Sequence, residues 1–117
     1  MEYTTLGDTG MEVSRICLGC MSFGSSEWRP WVKDEDEARP IIERAIDLGV
    51  NFFDTANMYS EGESERVLGN VLADYDRDAQ VVATKGFYAL DDDDPNSGGL
   101  SRKSIEHQLD DSLERLG

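Results

Sequence analysis

The sequence predicts an α/β fold built on parallel strands, and three observations carry that prediction. Short apolar, β-branched or aromatic runs lie near Leu18, Phe53 and Ala83, roughly 30 to 35 residues apart, and a helical pattern follows each. That spacing is the period of a βαβ unit, whose right-handed crossover leaves its strands parallel. Two of the runs stop on a charged group, Asp54 and Lys85, at the strand end where α/β enzymes keep catalytic side chains. No G-x-G-x-x-G occurs, so a Rossmann unit is not supported.

Taken in order, Tyr3 to Leu6 and Met11 to Val13 flank the turn signal Gly7-Asp8-Thr9-Gly10, so the chain opens with a small hairpin. Arg15 to Leu18 reads as the first parallel strand, ending at Gly19. The loop from Cys20 to Lys33 carries Trp28 and Trp31, which either line a pocket or cover one. Asp34-Glu35-Asp36-Glu37 places negative charge at the start of the first helix, where the macrodipole favours it. Pro40 is tolerated if that helix begins near Asp36 or Glu37, since first-turn amides lack internal partners. Ile42, Ala45, Ile46 and Leu48 form its apolar stripe and Gly49 its stop.

Val50 to Phe53 reads as the second strand, buried on both faces. A second helix runs from about Ser64 to Tyr75, with Val67, Leu68, Val71, Leu72 and Tyr75 on one face. Val81 to Thr84 is the third strand. The long loop Gly86 to Leu100 holds Asp91-Asp92-Asp93-Asp94, a solvated run whose spacing lacks a calcium-loop pattern. Ser101 is a good N-cap for the third helix, with Ile105, Leu109, Leu113 and Leu116 as its apolar stripe and Gly117 as its stop. His107 points away from that stripe and reads as a surface residue.

At 117 residues the chain is long enough for one modest core. A complete eight-fold βα barrel needs roughly 250 residues. The 25 acids against 11 bases leave a net charge of −14, and only Lys33, Lys85 and Lys103 are lysines. Such an excess repels phosphates and argues against nucleic-acid or anionic-membrane partners. It fits the salt-filled cytoplasm of a halophile, where repulsion is screened within a few ångströms at roughly molar ionic strength. No window reaches the ~20 apolar residues of a membrane span, and the acidic, polar Met1-Glu2-Tyr3-Thr4-Thr5 is unlike a signal peptide. Cys17 and Cys20 form C-x-x-C, but a thioredoxin-type motif would open a helix, whereas here Cys17 lies inside the expected strand. Two thiols without a nearby histidine do not fill a zinc site, so both are read as buried thiols and no metal is expected.

The chemistry concentrates at Asp54, Tyr59 and Lys85. A lysine at the end of a buried strand asks for an anion nearby. If the second and third strands are parallel neighbours, Asp54 and Lys85 share one rim and Tyr59, five residues after Asp54, reaches both. A phenol is a poor acid at neutral pH, and an adjacent ammonium favours its phenolate. Tyrosine with lysine and aspartate is therefore a general acid for a carbonyl oxygen. The plainer alternative is that Asp54 caps a loop or helix and Tyr59 packs on the surface.

Asp54-Thr55-Ala56 with Tyr59, then Gly62 and Ser64-Glu65, then Ala83-Thr84-Lys85, resemble the aldo-keto reductase family in order and spacing. Leu6-Gly7-Asp8-Thr9-Gly10, Val13-Ser14, Leu18 to Gly24 and Gly99-Leu100-Ser101-Arg102 are similar to it as well, especially to the branch that includes potassium-channel β-subunits. The resemblance covers essentially the whole chain. It implies an N-terminal hairpin closing the bottom of a (β/α)8 TIM barrel, followed by the first three βα units of that barrel, with no second domain. It also implies an NAD(P)H-dependent, cytoplasmic enzyme reducing a small aldehyde or ketone, with NADPH as cofactor. Tyr59 would be the proton donor, Lys85 its activator and Asp54 the holder of Lys85. Gly19, Cys20, Met21 and Asp54 match positions that approach the nicotinamide and its ribose. The family's catalytic histidine, at the end of the fourth strand, has no counterpart here, and its pyrophosphate and adenine contacts lie downstream. The 117 residues alone are therefore expected to be an inactive part of the enzyme; the alternative is a non-catalytic truncated product or interaction module whose open strand edge invites pairing.

Overall fold

The computed structural model describes residues 1–117. Its first two strands form the hairpin that the Gly7–Gly10 turn demands. β1 (Tyr3–Thr5) pairs antiparallel with β2 (Glu12–Ser14). Asn51 anchors this hairpin, accepting from the Ser14 amide at 2.7 Å and donating to the Glu12 carbonyl at 3.1 Å. Because Asn51 immediately precedes the next strand, the hairpin sits at the amino ends of the parallel sheet.

That sheet has the order β3 (Leu18–Gly19), β4 (Phe52–Asp54), β5 (Val81–Ala83), all parallel. Gly19 pairs with Asp54, and Asp54 with Ala83. The first strand is shorter than its apolar run suggests. The Arg15 amide donates to Glu2 at 3.0 Å and Ser14 Oγ to the Ile16 carbonyl at 2.6 Å, so this backbone turns to the hairpin instead. Cys17 therefore precedes the strand and is exposed, correcting the expectation of two buried thiols; Cys20 is fully buried.

Side chains alternate across a strand. Leu18, Phe53 and Val82 face the helices and join the core with Ile42, Val67, Leu68, Val71 and Leu72. The opposite face, with Phe52, Asp54, Val81 and Ala83, is only half-buried. The strands are thus covered on one face, not on both as the apolar runs suggest, because nothing in this chain packs against the other.

α1 (Glu35–Asp47) begins one or two residues earlier than Pro40 alone would favour. Pro40 lies in its second turn, where it removes the bond to the Asp36 carbonyl. Ala38 and Ile42 are fully buried, whereas Leu48, read as part of the apolar stripe, falls beyond the helix and is 54% exposed. α2 (Glu63–Leu72) buries Val67, Leu68, Val71 and Leu72 as expected, but it ends three residues before Tyr75, which is only partly buried.

α3 (Arg102–Leu116) departs most from expectation. Ser101 does cap it, its Oγ accepting from the Ser104 amide. Yet Ile105, Leu109 and Leu113 are 47%, 51% and 56% exposed, and the buried face is Ser104, Gln108, Ser112 and Leu116. Gly69 lets the end of α3 press against α2: a Cβ there would stand 2.7 Å from the Leu116 carbonyl oxygen. Docked on α2 in this way, α3 leaves Ile105 and Leu109 beside Thr84, Lys85 and Gly86, just past the end of β5.

Candidate active site

The sheet register alone brings the acid and the lysine together. Asp54 lies beside Ala83, and Lys85, two residues further on, projects from the same face. Lys85 Nζ donates to Asp54 Oδ2 at 2.8 Å and to the Thr55 carbonyl at 2.7 Å. An ammonium has three donors, so one remains. Tyr59 lies alongside, its ring centroid 5.1 Å from Nζ. The three residues singled out from the sequence therefore meet at the carboxyl ends of β4 and β5.

This ion pair is half-exposed, with side chains 51% and 40% accessible. Such pairs add about 0–1 kcal/mol to stability, so its use is placement. Partial burial opposes the Lys85 charge, but the Asp54 hydrogen bond and charge, followed by Tyr59, outweigh it and raise the Lys85 pKa above its ordinary value. Lys85 stays an ammonium across the physiological range.

Tyr59 is aimed by an unusual backbone. Ser60 and Glu61 both take left-handed conformations, with φ of 51° and 54°, and Gly62 follows at 96°. Non-glycine residues enter this region at a cost that surrounding contacts must offset. Ser60 is buried, and its Oγ accepts from the Ser25 amide at 3.1 Å.

Buried polar groups hold the rim from below. Ser64 Oγ donates to the Cys20 carbonyl at 2.7 Å and lies 2.9 Å from Thr55 Oγ1; its one proton is committed, so Thr55 donates to it. Glu65, with no exposed surface, accepts from Arg115 Nε at 2.6 Å and from Thr84 Oγ1 at 2.6 Å. Asn57 Nδ2 donates to Gln108 Oε1 at 3.0 Å. The sequence reading passed over Glu65 in this role, Arg115, Asn57 and Gln108. A signal existed for Glu65: it shares a face with Leu68 and Leu72 at helical spacing.

Gly19 and Met21 are exposed at the same rim, and a Cβ on Gly19 would meet nothing within 4 Å. The Cys20 thiol points inward, its pKa pushed up to about 12 by burial, then by Cys17 and Asp54. Its backbone is also engaged, the amide with Asp54 and the carbonyl with Ser64. Trp28 lines an open depression of about 410 Å³ with Ser25, Glu27, Ser60, Glu61 and Glu63. Trp31 packs edge-on against Trp28 at 6.2 Å and is 52% exposed.

Known proteins are similar to this chain over nearly its whole length. Versiconal hemiacetal acetate reductase of Aspergillus parasiticus is 42% identical over the whole chain, which spans 39% of that relative. An uncharacterized oxidoreductase of Bacillus subtilis, YrpG, is 42% identical over 99% of the chain and 36% of its own length. The solved structure of aldo-keto reductase AKR11C1 from Bacillus halodurans, in its holo form, superposes with a TM-score of 0.82 at 32% identity, covering 99% of this chain and 36% of that one. The chain thus spans about two-fifths of the length of these proteins and corresponds to part of a (β/α)8 barrel. Residues 15–117, everything after the hairpin, match the model of the aldo/keto reductase family, and the chain belongs to that family.

Proposed function

We propose that the whole protein is an NAD(P)H-dependent reductase of small aldehydes or ketones, and that Asp54, Tyr59 and Lys85 are three of its catalytic residues. The observation that carries this reading is the convergence of Lys85 on Asp54 at 2.8 Å and on the Tyr59 ring at 5.1 Å. Reduced nicotinamide, when bound, supplies the hydride. Tyr59 delivers a proton to the carbonyl oxygen, and the Lys85 ammonium beside it stabilises the negative charge left on the phenol. Asp54 and the Thr55 carbonyl fix that ammonium in place.

The open rim at Gly19, Met21 and Asp54 suits a flat ring laid against it, with the Cys20 backbone as support. No basic cluster on the 117 residues offers a site for the cofactor's phosphates, so those contacts fall to the remainder of the protein. NADPH is the proposed cofactor. The chain forms one unit, the N-terminal part of the barrel, and it does not turn over substrate alone. The charge of −14 supports a salt-adapted cytoplasmic protein.

In the whole protein, Tyr59→Phe is expected to abolish most NADPH-dependent reduction of 4-nitrobenzaldehyde with little change in NADPH binding. Unchanged turnover in that variant would assign the proton to another group.

A further inference from the structure

The buried face of α3 is polar where an apolar one was expected, and its central residue reaches three segments of the site. Gln108 is 6% exposed and Asn57 1%. Gln108 Oε1 accepts from Asn57 Nδ2 at 3.0 Å, while Nε2 donates to Ser104 Oγ and, at 3.5 Å, to the Gly99 carbonyl. Asn57 stands midway between Asp54 and Tyr59, and its own amide donates to the Lys85 carbonyl at 3.0 Å. The Gln108 side chain also lies against the backbone just after Lys85: a Cβ on Gly86 would stand 2.7 Å from Gln108 Oε1. The Tyr59 loop, the chain leaving Lys85 and the far end of the 86–100 loop therefore converge on one carboxamide.

We infer that Gln108 is a positioning residue, holding the Tyr59 loop and the Lys85 strand end in a fixed relation through Asn57 and Gly86. The inference rests on the reading of Tyr59 as proton donor. The chemistry explains why this residue is an amide. Asn57 presents a buried N–H that needs an acceptor, Gly99 and Ser104 present acceptors, and only a side chain with both functions serves all of them. A leucine of similar size would fill the space and leave the Asn57 donor unpaired, so the loop would relax to find another partner.

The test uses the whole protein. In Gln108→Leu, amide exchange in peptides spanning 54–62 and 85–99 is expected to rise about tenfold while α2 is unchanged. kcat for 4-nitrobenzaldehyde should fall about ten- to a hundredfold, the scale of a misplacement near 1 Å, with KM for NADPH within about twofold. Asn57→Ser, which keeps the Gln108 bonds to Ser104 and Gly99, serves if Gln108→Leu does not fold; it should show the same exchange and kcat effects. If both fold, the double variant should be no slower than Gln108→Leu alone. Ser112→Ala, buried on the same face, controls for helix stability and should lower the melting temperature without changing kcat. Normal kcat in the foldable variants, beside an inactive Tyr59→Phe, would overturn the positioning role alone. Full turnover in Tyr59→Phe would overturn the reading of the site, while unchanged exchange at 54–62 would overturn the tie to Asn57 whatever the activity.

Discussion

Replacing Arg115 with methionine should be the most damaging single change outside the rim itself. Glu65 has no accessible surface, and Arg115 is 11% exposed. The Arg115 bond at 2.6 Å and the Thr84 hydroxyl at 2.6 Å are the carboxylate's side-chain partners. Methionine matches the apolar stem that passes over Gly62 but removes the charge, leaving a buried carboxylate with one hydroxyl. Breaking a buried pair from one side costs about 3–5 kcal/mol, a large part of the ~5–15 kcal/mol typical of a domain. Glu65→Gln added to Arg115→Met removes the stranded charge while keeping an acceptor for Thr84, and should recover about 2 kcal/mol or more. Urea denaturation followed by far-ultraviolet circular dichroism in potassium chloride measures both. If Arg115→Met has no folded baseline, Arg115→Lys, which keeps the charge and loses the Nε donor, gives a smaller shift. A loss below about 1 kcal/mol in Arg115→Met, or a double variant as unstable as the single, would refute the argument.

Two further outcomes follow from the ionisable groups. Cys17 is exposed but its thiol is raised above its ordinary range by partial burial and Asp54, and Cys20 is pushed up to about 12. Iodoacetamide near pH 8 should label Cys17 slowly and Cys20 only after unfolding; mass spectrometry showing rapid double labelling of native protein would contradict this. Asp34 is held below its ordinary value by the Ser26 amide and then the Ser26 hydroxyl, at 2.8 and 2.9 Å. A depressed carboxylate stabilises the native state above its unfolded pKa, and that contribution is lost as pH falls through the folded value. Melting temperature should therefore fall below about pH 4, and by less in Asp34→Asn; identical pH profiles would count against it.

The rim was readable because two independent regularities meet there. Buried runs fix where strands end, and the two-residue period fixes which face each end group takes. Asp54 and Lys85 need only parallel neighbouring strands to meet, and the βαβ spacing supplies those. Tyr59 followed from reach. The left-handed run behind it, Ser60 to Gly62, was not readable, because only Gly62 signals a positive φ and the Ser60 conformation depends on Ser25, 35 residues away in sequence.

α3 shows why amphipathic pattern fails at an edge. A helix stripe of Ile105, Leu109, Leu113 and Leu116 predicts burial only if some element lies opposite, and in this chain α3 meets α2 with a neighbouring face. The buried residues of that face, Ser104, Gln108 and Ser112, recur every four positions and read as an ordinary polar surface. Their meaning appears only with their partners: Gln108 meets Asn57 across 51 positions, and Arg115 meets Glu65 across 50. Apolar contacts tolerate a side chain that slides, whereas these donors and acceptors are satisfied in one arrangement. Gln108 and Arg115 therefore fix the register of the helix against Asn57, Glu65 and, through Glu65, Thr84, the neighbour of Lys85. An apolar face there would pack as densely and leave that register free.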